Sequence, residues 1–144
     1  MSKKAFTFIE IMLVMAIISL LSTVVIPMSL RARNNANEAA AIASLKTINT
    51  ACTSFFATQT PPTYPETLAV LGSATPPYID ADLANATSAA TARRGYFYTY
   101  SGVNANQFTC TATPAISNTT GTRVFFIDET GVVRLNDSSG ASVE

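Results

Sequence analysis

Between Phe6 and Leu30 the chain reads FTFIEIMLVMAIISLLSTVVIPMSL, an apolar run whose only ionisable side chain is Glu10. A helix needs about 20 apolar residues to cross a hydrocarbon core of roughly 30 Å, and this run supplies them. Lys3 and Lys4 stand just before it, so the basic-inside bias keeps the N-terminus cytoplasmic and sends the rest outward. The run is too long for the apolar core of a cleaved secretory signal, and no Ala-x-Ala site follows it. A plain signal anchor accounts for the length but gives no reason for Glu10. A carboxylate at the bilayer centre costs roughly 3 kcal/mol on insertion scales, so an ionisable group inside a span is a functional hypothesis from the outset. The bland alternative is a lone acid near the end of a span that reaches back to the headgroups.

The helical pattern continues past the apolar run. Pro27 falls late in the run, where it removes one backbone hydrogen bond and kinks or loosens the preceding turn. Beyond Arg31 and Arg33 the sequence NNANEAAAIASLKTINTACTSFFAT is Ala-rich. In it Ile42, Leu45, Ile48, Cys52 and Phe55 recur every three or four residues and form one apolar stripe, with Glu38, Lys46 and Asn49 placed off it. A helix from Phe6 to Thr58 is about 80 Å long at roughly 1.5 Å per residue. Its first half, apolar all round, needs lipid or other helices around it. Its second half needs one further layer to cover the stripe.

Pro61, Pro62 and Pro65 end the helix. PETLAVLG then predicts one or two helical turns closed by Gly72, and Ile79–Ala92 predicts a loop with a helical turn at Asp82–Leu83. Residues 95–100, 107–113, 123–128 and 132–135 read as strands, separated by a turn region at 101–106, a polar loop and the turn Asp128–Gly131. In QFTCTAT, Phe108, Cys110 and Ala112 share one face. The tail from Asn136 is expected to be loose. Together these elements predict an α+β fold: a long N-terminal helix packed on a roughly four-stranded antiparallel sheet.

The chain has no histidine, which removes the commonest general base and most transition-metal sites. Nine Lys+Arg balance nine Asp+Glu, so there is no electrostatic footprint for nucleic acid. The two cysteines, Cys52 and Cys110, lie on the apolar faces of the helix and of a strand, so both sulfurs are expected in one layer. A Cys52–Cys110 disulfide is expected, closing a loop of about 58 residues and worth roughly 4 kcal/mol in the chain-entropy model; the bland alternative is two buried thiols.

The stretch KKAFTFIEIMLV with Pro27 downstream resembles the type IV prepilin family, which includes the pseudopilins of type II secretion. Lys4, Ala5, Phe6, Thr7, Ile9, Glu10 and Pro27 carry the resemblance. The chain departs from the family pattern at Ala5 (usually glycine), Phe8 (usually leucine) and Ser19 (often glycine).

The resemblance implies a leader of residues 1–5, cut between Ala5 and Phe6 by a membrane prepilin peptidase that also methylates the amine of Phe6. It implies a membrane-spanning and polymerising segment 6–30 and an exported head 31–144. Subunits would be lifted from the inner membrane, by an assembly platform and an ATPase, into a helical filament of identical copies. Glu10 would pair there with the Phe6 amine of a neighbour, because a charge removed from water is tolerable mainly when paired.

The expected function is thus a non-enzymatic filament subunit with no cofactor. The alternatives are a type II secretion pseudopilin and, more distantly, a membrane-anchored binding module. Asp80 with Asp82 and Asp128 with Glu129 are weighed as calcium carboxylates against turn caps, and the caps are favoured. Arg93-Arg94 reads as a solvated basic pair.

Overall fold

The computed structural model describes residues 6–143. Its elements are α1 (Phe8–Thr58), α2 (Leu68–Ser73), α3 (Ala81–Asn85), a single 3-10 turn (Ala89–Thr91), β1 (Tyr96–Asn104), β2 (Gln107–Pro114), β3 (Phe125–Asp128) and β4 (Arg134–Leu135). This is the α+β, pilin-like arrangement expected: a long N-terminal helix and a four-stranded antiparallel sheet in the order β1-β2-β3-β4. The chain divides into two compact units at Arg33/Asn34.

In the first unit none of the described residues covers the apolar part of α1. From Phe6 to Arg33 every residue is exposed except the half-buried Ser22. The helix is long and apolar enough to cross a membrane. Three hydroxyls find partners on the helix itself: Ser19 donates to the Met15 carbonyl (2.7 Å), Ser22 to Ile18 (2.8 Å) and Thr23 to Leu20 (2.7 Å). A hydroxyl satisfied in this way does not need water, which suits an apolar surrounding.

The second unit holds the core. Along α1 the buried line is Glu38, Ala41, Leu45, Ile48, Ala51 and Cys52, and Ile42 and Phe55 flank it half-buried. It joins one cluster with Tyr96, Tyr98, Phe108, Cys110, Ala112, Phe125 and Ile127 from the inner face of the sheet, and with Leu68, Leu71 and Leu83 from the short helices. Each large apolar side chain buried there stabilises the fold by about 1.5–3 kcal/mol.

The strands differ from the sequence expectation at their ends. β1 runs on to Asn104 because Ser101 and Gly102 continue the ladder opposite Thr109 and Phe108. The hairpin then closes tightly, with Asn104 Oδ1 accepting from the Asn106 amide (2.9 Å). β3 begins only at Phe125, since Thr122 and Arg123 leave the ladder to meet α1. The C-terminal tail is not loose: Leu135 donates to the Ala141 carbonyl (3.0 Å), Val143 donates to Val133 (2.9 Å), and the Val143 side chain packs on the core.

Both edges of the sheet are covered. On β1, Tyr98 donates to the Ala86 carbonyl (2.8 Å), and Gly102 lies so close to Pro65 that a Cβ there would sit 3.3 Å from its carbonyl oxygen. The tail covers β4. Covered edges offer no template for strand addition.

Candidate assembly site

α1 opens on a reciprocal cap. The Thr7 amide donates to Glu10 Oε2 (2.8 Å), the Thr7 hydroxyl donates to the same oxygen (2.6 Å), and the Glu10 amide approaches Thr7 Oγ1 (3.4 Å). This is a capping box. It satisfies amides that a helix start leaves orphaned and places the carboxylate at the positive end of the helix dipole. Both donors use Oε2, so among the described residues Oε1 remains open to a cation. Phe6 is exposed one helical turn away, and the expected cleavage partner Ala5 lies outside the described residues. The Thr-x-x-Glu signal was legible in the sequence, but the functional reading of Glu10 left it unused.

Pro27 lies inside α1, where it has no amide for the Thr23 carbonyl. Cys52 and Cys110 are both fully buried in the one core cluster, each as a free thiol. Cys52 Sγ lies 4.0 Å from the Tyr100 hydroxyl, and Tyr100 stands opposite Cys110 in the ladder. Burial pushes the Cys52 thiol up to about 12 and raises Cys110 as well. Neither is a nucleophile while the core is closed.

Asp80 stands at the N-cap of α3 but makes no side-chain cap bond. Asp80 pairs with Arg93 (3.3 Å). Asp128 accepts from the Thr130 amide (3.0 Å) and hydroxyl and pairs with Arg134 (3.4 Å). Among the described residues no three metal-ligating side chains converge.

Glu38, expected off the apolar stripe, is 3% exposed. The spacing of four to Ile42 places it on the stripe after all. Its Oε1 accepts from the Thr122 amide (3.0 Å) and hydroxyl (2.8 Å), and its Oε2 from Arg123 Nε (2.7 Å) and the second guanidinium nitrogen (2.6 Å). Burial alone raises its pKa, but the bonds from Thr122 and Arg123 outweigh burial and hold it below the usual carboxylate range. Asn37 adds a bond to the Thr120 carbonyl (2.8 Å). The loop between β2 and β3 is thereby stitched to α1.

Residues 1–26 match the family described as the prokaryotic N-terminal methylation motif. The chain carries a prepilin-type signal. The match covers Lys3 and Lys4, the capping box and most of the bare apolar part of α1. It supports a substrate of prepilin peptidase of the type IV pilin-like or pseudopilin kind. No curated protein and no solved structure matches the chain.

Proposed function

We propose that the chain is a non-enzymatic subunit of a type IV pilus-like filament. The prepilin-type signal carries this reading, because it runs into a half-helix that none of the described residues covers. Residues 1–5 are the leader, 6–30 the membrane-spanning and polymerising segment, and 31–144 the exported head. Prepilin peptidase cuts between Ala5 and Phe6 and methylates the Phe6 amine. The chain first spans the inner membrane with its N-terminus cytoplasmic, then enters the filament through the assembly platform and its ATPase.

Leaving lipid, the apolar helix can stay out of water only among copies of itself. The covered sheet edges support polymerisation through α1 rather than by strand addition. Glu10 keeps its cap on Thr7 and offers Oε1 to the methylated amine of a neighbour, a pair that sets axial register more than it adds stability. Pro27 is the place where the helix can bend or loosen, and a thiol oxidant of the compartment outside the inner membrane takes two electrons and two protons from Cys52 and Cys110, joining them before the core closes.

N-terminal sequencing of the exported protein tests the reading. A chain beginning at N-methylated Phe6 is expected, and an intact Met1 or a cut inside the apolar run overturns it. The same signal serves type II secretion pseudopilins. Long surface filaments at native expression favour the pilus, and short periplasmic ones the secretion system.

A further inference from the structure

The ion pairs of the head leave two patches of opposite sign unsatisfied. Arg93 is taken by Asp80, Arg123 by Glu38 and Arg134 by Asp128. Arg31 and Arg33 belong to the first unit; among the described residues from Asn34 on, the cations in no ion pair are Lys46 and Arg94, both exposed.

Arg94 is held in an unusual way. Arg93 and Tyr96 exchange backbone hydrogen bonds (2.8 and 3.0 Å) around a two-residue turn in which Arg94 has φ +50 and Gly95 φ +78. Such a turn favours Asn-Gly, because a branched-off Cβ is unwelcome at positive φ. The turn sets Arg94 at a cleft of about 310 Å³ whose far wall is Ala40, Ala43, Ser44 and Thr47 of α1. Lys46 precedes that wall's last residue on the exposed side of the helix. Asp82, exposed on α3, borders Arg93 in the adjoining cleft, so the positive charge of the patch rests on Arg94 and Lys46.

The opposite patch is Glu66 and Glu129. Glu66 lines a cleft of about 540 Å³ against the tip of the β1–β2 hairpin, together with Tyr64, Gly102 and Asn104. Glu129 borders the tip of the same hairpin, accepting only a long bond from Gln107 (3.4 Å), the residue paired with Asn104 across the turn. Both are exposed, and neither has a cation among the described residues. Two different patches of complementary sign on one molecule are what a head-to-tail contact requires, and such a contact repeats without closing when it builds a filament.

We propose that Lys46 and Arg94 of one copy dock on Glu66 and Glu129 of the next. This rests on the filament reading above and adds the head contact that would choose the partner and its rotation. The occupant is a second copy of this chain because the chain itself supplies both halves of the pair.

The test uses full-length chains, with an Arg94→Lys variant expressed as a mixture of isotopically light and heavy subunits. Filaments and membranes are treated with a carbodiimide, which joins an amine to a carboxylate in contact. Mass spectrometry is expected to find peptides containing positions 94 or 46 of one isotope joined to peptides containing Glu66 or Glu129 of the other. In parallel, Arg94→Glu with Lys46→Glu lowers filament yield about tenfold, and adding Glu66→Lys and Glu129→Lys restores it. Filaments without these cross-links, or unaffected by charge reversal, overturn the contact and leave the filament reading standing. Cross-links in membranes of cells that never form filaments support the contact and overturn the filament. Absence of both overturns both.

Discussion

Removing the Glu38 carboxylate is the sharpest perturbation of the head. Glu38→Ala takes the acceptor away from the Thr122 amide, the Thr122 hydroxyl and two guanidinium nitrogens of Arg123 at once. A hydrogen bond to a charged group contributes about 1.5–3 kcal/mol, and breaking a buried pair costs about 3–5 kcal/mol when the survivor is stranded. Arg123 is not stranded, since its side chain is 49% exposed and water can solvate it. The expected loss is therefore about 2–3 kcal/mol.

For a head of roughly 110 residues that lowers Tm by about 10 °C. Thermal unfolding of the full chain in detergent, followed by circular dichroism, measures it. Because Glu38 is held below the ordinary carboxylate range, its contribution is complete above that range and is lost as pH falls through the folded pKa. Glu38→Gln should flatten that acid slope. A cycle with Arg123→Met should return a coupling of about 1 kcal/mol. A loss under about 0.5 kcal/mol, or zero coupling, refutes the clasp as a stabilising device.

Three further outcomes are expected. Gly121→Ala would place a Cβ 2.6 Å from the ring of Tyr96, which is fully buried and donates to the Arg123 carbonyl (2.8 Å), so a loss of about 2–3 kcal/mol in chemical denaturation is expected. In protein kept reduced, the two thiols, fully buried and with raised pKa values, should resist an aromatic disulfide reagent at pH 8 and react in denaturant; fast labelling of the native head would contradict the closed core. Glu10→Gln should leave cleavage at Ala5/Phe6 intact while filaments fail to grow normally, and normal filaments on electron microscopy would remove the role given to its charge.

The sequence alone determined the long helix, its uncovered first half, the four strands and the sharing of one layer by Cys52 and Cys110. These features rest on local pattern: apolar length, a period of 3.6 or of two, and prolines at 61, 62 and 65. Thr7-x-x-Glu10 was equally local. Only the tertiary structure decided what lies far apart in the chain. Glu38 looked like a solvated charge until the β2–β3 loop brought Thr122 and Arg123 to it. The tail from Asn136 looked loose until Val133 offered its carbonyl to Val143. In both cases the partner that makes burial tolerable sits on another element, and a single strand of letters does not say which elements meet.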